Sequence, residues 1–188
     1  MIAQYEVTFA GFGGQGIMVA GQLLAYTGIK EGKNVVWLPS YGPEMRGGTA
    51  YCTVVISDSR IGSPIINSPR GLCVFNRPSL DKFAPRVKPG GLLIIKSSLI
   101  DAVSGRDDIT EILVPANDIA IKAGSVRAVN MVMLGAFVGA SAVVGHDSLT
   151  KVVLEKMGHK KELLEINYQV IEEGYLLGLA TREQKALQ

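Results

Sequence analysis

The hydrophobic pattern divides the chain into short β-rich runs and longer segments with helical spacing. Residues 5–10 alternate and are rich in β-formers, which predicts a strand. Ile17, Ala20, Gly21, Leu24 and Gly28 fall on one stripe, which predicts a helix over 17–30 closed by a glycine C-cap at Gly32. A second strand over 35–38 ends at Pro39. Residues 49–57 form a long alternating run; with a turn at Asp58 and Ser59 and a return over 60–64, they predict a β-hairpin appended to the main sheet. Residues 71–76 and 92–96 are short buried strands, joined by a helical turn over 79–84 that Pro78 opens and by the turn Lys88-Pro89-Gly90-Gly91, in βαβ order. A polar loop over 101–108 precedes the last strand, 110–115, after which Asn117 or Asp118 caps a helix ending at Lys122.

The C-terminal part is helical. Residues 131–140 are apolar on every side, the mark of a helix buried all round beneath the sheet. Gly135 and Gly139 lie four apart and permit close approach of another backbone, leaving one face open to a partner subunit. A short amphipathic helix over 148–157 starts at Ser148 as cap. A final helix over 161–180 carries Leu163, Ile166, Val170 and Leu177 on one stripe, with Glu165, Glu172 and Glu173 on its solvated side. Together these predict an α/β fold: an open, mostly parallel Rossmann-like sheet with flanking helices, an appended β-hairpin and a helical C-terminal part. No repeat, low-complexity tract or linker divides the 188 residues, so the expectation is a single domain.

Two glycine-rich stretches carry the candidate chemistry. Gly11-x-Gly13-x-x-Gly16 joins the first strand to the first helix, where glycines free backbone N–H groups for a ligand above the turn. The spacing matches the dinucleotide fingerprint. A nicotinamide-binding unit also needs an acidic residue roughly 20 residues on to hold the ribose, and residues 34–39 contain none, which disfavours NAD. The loop then suits a phosphate, a carboxylate or another protein's backbone; a tight turn serving only helix–sheet packing is the competing account. The second stretch, residues 40–48, leaves the C-terminal end of the next strand, the edge where open α/β sheets bind ligands. Arg46 offers a planar fork to an anion and Glu44 could orient it; an ordinary surface ion pair is the bland alternative.

Composition narrows the classes. Nineteen Lys and Arg against 17 Asp and Glu give a net charge of +2, with no basic cluster to argue for nucleic acid. At 47% hydrophobic and 19% charged, the chain is apolar for a free monomer, and a subunit interface would absorb the excess. The sequence shows no signal peptide and no apolar run long enough for a membrane span, so a cytoplasmic location is expected. Cys52 and Cys73 fall inside strands, are too few for an iron–sulfur cluster and read as small buried hydrophobes. Neither His146 nor His159 sits in a metal-ligand pattern, so no metal is expected on this chain. No Gly-x-Ser-x-Gly elbow or Walker lysine occurs, leaving a ligand-shaped edge without catalytic machinery.

The pairing of Gly11-Phe12-Gly13-Gly14-Gln15-Gly16 with Ser40-Tyr41-Gly42-Pro43-Glu44-Met45-Arg46-Gly47-Gly48 resembles the gamma chain of the 2-oxoacid:ferredoxin (acceptor) oxidoreductases. The likeness extends through Val74 to Asn76 and the helix near Asn130. It implies a subunit of an enzyme that oxidatively decarboxylates a 2-oxoacid and joins the acyl group to coenzyme A, most like the 2-oxoglutarate enzyme. It also implies alpha and beta partners holding thiamine diphosphate and its magnesium between them, iron–sulfur clusters on beta and on a ferredoxin-like delta chain, and ferredoxin or another acceptor served by the complex. By position, Gly11, Gly13, Gly14, Gln15, Gly16, Tyr41, Glu44, Arg46, Gly47 and Gly48 are the cofactor-edge candidates, and no residue is assigned a catalytic role. The competing class is a stand-alone nucleotide- or coenzyme-binding protein; a self-sufficient Rossmann dehydrogenase already lacks its ribose carboxylate.

Overall fold

The computed structural model describes residues 4–40, 49–158 and 161–187. Strands β1 (Gln4–Phe12), β2 (Asn34–Ser40), β3 (Thr49–Ser57), β4 (Gly71–Val74), β5 (Leu92–Lys96) and β6 (Thr110–Val114) form one sheet in the order β2-β3-β1-β4-β5-β6. The pairs from β1 through β4 and β5 to β6 are parallel, whereas β3 runs antiparallel to both β1 and β2. The helices are α1 (Ile17–Lys30), α2 (Arg77–Phe83), α3 (Ala116–Lys122), α4 (Val129–Ser141), α5 (His146–Met157) and α6 (Lys161–Ala186).

The antiparallel element differs from the expected hairpin. The partners of β3 are β1 and β2, while residues 60–64 form no strand. Alternation along 49–57 specifies a strand but not its neighbours; here β3 is buried on both sides through Cys52, Val54, Val55 and Ile56 and takes an interior place. It therefore separates β1 from β2, and the adjacent parallel pair of a dinucleotide-binding βαβ unit does not form. Pro39 does not end β2, which continues to Ser40. As an edge strand it can spare the N–H that proline lacks.

Strand alternation builds two cores. Phe9, Cys73, Phe75 and Ile94 face α1, α4 and α5, while Ala10, Leu72, Leu93 and Ile95 face α2. Eleven consecutive residues of α4, Val129 to Gly139, are buried, as the apolar run predicts. What covers it is α6 of the same chain. A Cβ on Gly135 would lie 2.2 Å from the Ile171 carbonyl oxygen, and one on Gly139 would lie 2.1 Å from that of Tyr175. Gly174 and Gly178 of α6 are equally close to the carbonyls of Val132 and Ala136. The buried face of α6 thus runs through Val170, Ile171, Gly174 and Gly178, and Leu177 of the expected stripe is 38% exposed. Small residues decide that face because they let the backbones touch.

Helix starts also differ from expectation. Pro115 precedes α3, whose Asn117 and Asp118 lie in the first turn; Ser98 Oγ accepts the Asn117 backbone N–H at 3.0 Å instead. The start of α5 is His146 after Gly145, not Ser148, and Gly145 N–H donates to Glu31 Oε1 at 2.6 Å. Glu172, on the exposed side of α6 as expected, also brings its Oε2 within 2.9 Å of His146 Nε2 at the start of α5.

Candidate functional site

The first glycine loop leaves the C-terminal end of β1 beside the end of β4. Gly14 and Gly16 adopt left-handed φ of 88° and 76°, which side chains rarely tolerate. Gly16 is the N-cap of α1, with no side-chain cap and no acid in the first turn. A Cβ on Gly16 would lie 2.6 Å from Asn130 Nδ2, and that amide donates to the Gly16 carbonyl at 3.2 Å. The first turn of α4 is thereby tied to the first turn of α1.

Gln15 has a structural task. Its Oε1 accepts from Phe12 N–H at 2.7 Å and its Nε2 donates to the Phe75 carbonyl at 3.3 Å. The side chain thus bridges the ends of β1 and β4. The helices following these strands, α1 and α2, pack on opposite faces of the sheet, and such a switch point is where a dinucleotide would enter. Gly11, at the end of β1, leaves room for this bridge: a Cβ there would be 2.5 Å from Gln15 Oε1. Gly13 and Gly14 are exposed above it. Tyr41, Glu44, Arg46, Gly47 and Gly48 lie outside the described residues.

The open space is displaced toward α4. A cleft of about 630 Å³ is bounded by Gly14 to Gly16, the first turns of α1, α3 and α4, the end of β5, and Leu163 and Asn167 of α6. That volume is in the range of small-molecule and cofactor sites. Lys96, the last residue of β5, lines it although only 3% exposed. Following Leu92 and Ile94, it takes an α4-facing position by strand alternation, and its Nζ lies 6.0 Å from the centre of the Phe75 ring. Burial pushes its pKa below the ordinary lysine value. Sequence reading missed Lys96; the signal was a lysine on an inward position of a strand buried throughout.

Among the described residues no group of three or more His, Cys, Asp or Glu is gathered that could hold a metal ion. Cys52 and Cys73 both pair in register with Phe9, from opposite sides, which sets them two strand spacings apart, roughly 10 Å. Burial pushes the Cys52 thiol up to about 12 and the Cys73 thiol well above its ordinary value. Two separated, protonated thiols do not fit an iron–sulfur cluster. No described helix is long and apolar enough to cross a membrane.

Residues 6–177 match the family described as pyruvate ferredoxin/flavodoxin oxidoreductase. The chain is 40% identical over 173 residues to the ketoisovalerate oxidoreductase subunit VorA of Methanothermobacter marburgensis, covering 91% of this chain but 36% of that protein. It is 33% identical to the 2-oxoglutarate synthase subunit KorC of Methanocaldococcus jannaschii, covering 90% of this chain and 91% of KorC. Among solved structures, the gamma subunit of a keto/oxoacid ferredoxin oxidoreductase from Geobacter sulfurreducens superposes with a TM-score of 0.82 at 30% identity, covering 94% of this chain and 99% of that one.

Proposed function

This chain belongs to the pyruvate ferredoxin/flavodoxin oxidoreductase family, and we propose that it is the gamma subunit of a multi-subunit 2-oxoacid:ferredoxin (acceptor) oxidoreductase. The observation that carries the proposal is the likeness to KorC over 91% of KorC's length, a separate subunit of the same extent as this chain. In this reading the alpha and beta partners hold thiamine diphosphate, magnesium and iron–sulfur clusters, a ferredoxin-like delta chain relays electrons, and the acyl group passes to coenzyme A. A cleft among the described residues whose charged lining is Lys96 and Arg127 supports this reading. Leu99 and Val126, 59% and 58% exposed at the rim of the cleft, supply apolar surface for a partner to cover.

The 2-oxoacid we assign first is 2-oxoglutarate, on the strength of KorC. Ketoisovalerate is the second reading, favoured by the higher identity to VorA. The glycine loop and residues 40–48 together form the proposed cofactor edge, with Arg46 as its anion contact. Arg46→Ala then lowers turnover of the assembled enzyme about tenfold while leaving the chain folded, the loss expected for one charged hydrogen bond.

The test is a pull-down from the source organism with this chain as bait. The bound fraction is assayed for 2-oxoacid- and coenzyme A-dependent reduction of a viologen dye, comparing 2-oxoglutarate, ketoisovalerate and pyruvate. Larger partners with that activity support the assignment and identify the substrate. A chain recovered alone and inactive overturns it.

A further inference from the structure

A second pocket lies at the other end of the sheet from the first glycine loop, where the parallel strands begin. About 320 Å³ in volume, it is bounded by the starts of β1, β4, β5 and β6, the end of α4 and the last turns of α6. Its charged lining is Arg70, Arg182 and Lys185, with no carboxylate. Among the described residues neither guanidinium makes a hydrogen bond or ion pair, and Lys185 Nζ donates only to Thr110 Oγ1, at 2.6 Å. A helix C-terminus carries roughly half a negative charge. The ends of α4 and α6 therefore offset about one of the three cations.

Tyr5 of β1 adds a buried donor. It is 6% exposed, with its ring edge-to-face on Phe137 at 5.8 Å, and a Cβ on Gly71 would stand 3.3 Å from its hydroxyl. The hydroxyl thus sits at the head of β4, beside Arg70, and has no hydrogen-bond partner among the described residues. Burial holds the phenol above its ordinary pKa, against the pull of Arg70, so it keeps its proton to donate. Buried hydroxyls are ordinarily paired, and the pocket is where a partner for this one would stand.

We propose that this pocket binds a phosphate group, free or carried on a compact ester. The donors come from three elements, β1, the approach to β4 and α6, and so converge from different directions. A carboxylate offers two oxygens in one plane, whereas a phosphate offers at least three arranged tetrahedrally, and guanidinium forks match pairs of them. The volume is at the small end of ligand sites, which limits the occupant to a compact molecule. This inference stands apart from the subunit reading, and failure of either leaves the other intact.

The experiment titrates the purified full chain with inorganic phosphate, glycerol 3-phosphate and citrate at constant ionic strength, followed by calorimetry and by amide NMR shifts. Saturable phosphate binding is expected, with shifts at Arg70, Gly71, Gly91 and Thr110, a readout that needs no variant to fold. Arg70→Gln and Arg182→Gln are each expected to weaken it about tenfold or more, as for a charge-assisted hydrogen bond. Tyr5→Phe, which keeps the ring against Phe137, should weaken it severalfold, and Arg77→Gln, past the opposite end of β4, should leave it unchanged. Phosphate binding more tightly than glycerol 3-phosphate supports a free-ion site, and the reverse supports an ester site. No saturable binding, shifts confined to Gly14, Gly16 and Lys96, or full affinity in both arginine variants overturns the proposal. Citrate binding more tightly than both phosphates overturns the choice of phosphate.

Discussion

Gly16 meets two demands that no other residue satisfies together. Its φ of 76° starts α1, and a Cβ would press on Asn130 at 2.6 Å. Gly16→Ala is expected to destabilise the chain by about 2 kcal/mol, measured in urea, through left-handed strain and displacement of Asn130. Burial of Lys96 costs stability. Its depressed pKa means that the unfolded chain binds the proton more readily, so this residue's contribution to stability rises with pH toward the ordinary lysine value of 10.5. Lys96→Met should therefore raise the unfolding free energy measured in urea at pH 7 by about 1 kcal/mol; a lowered value would contradict the cost of burying this lysine. Cys52 has the opposite pH dependence. Raised from 9.0 to about 12, its thiol contributes stability fully below pH 9 and loses it as pH climbs from 9 to 12. Neither buried cysteine should react with a thiol reagent at pH 8 until the chain is unfolded, when both should.

At the scale of elements, the contact between α4 and α6 dominates. Alanine at Gly139 would face the Tyr175 carbonyl at 2.1 Å, and backbone cannot yield as a flexible side chain can. Gly139→Ala is expected to cost about 3 kcal/mol and to shift both helices. Ala142, at φ 50°, ends α4 in the left-handed region, so Ala142→Gly should stabilise by about 1 kcal/mol in thermal or urea unfolding. These helices show what a sequence reveals and what it conceals. The strands and α1 were legible because burial on one or two faces imposes a period on residue type, as in Phe9, Cys73 and Ile94. The small-residue face of α6 was not legible, since Gly174 and Gly178 add nothing to a hydrophobic stripe while Leu177 does. The interior place of β3 was equally hidden, because alternation specifies faces and not neighbours. At the site, the spacing of Gly11, Gly13 and Gly16 announced the loop, although the left-handed positions are Gly14 and Gly16. Lys96 did not announce itself, since its place at the rim of the cleft depends on how β5 sits against α4, which only three dimensions supply.

For the whole molecule, the separation of β1 from β2 by β3 and the Gln15 bridge turn a dinucleotide-like loop into something else. The switch-point crevice is spanned by a side chain, and the usable cavity opens toward α4, rimmed by exposed Leu99 and Val126. A chain so arranged suits contributing one wall of a site completed by partners, which is the central claim. Reconstitution tests it most directly: the partner subunits are purified without this chain, and 2-oxoacid- and coenzyme A-dependent viologen reduction is measured before and after it is added back in stoichiometric amount. The account predicts little turnover without the chain, recovery on addition, and none from the chain alone. Full activity of the partners without it would contradict the account.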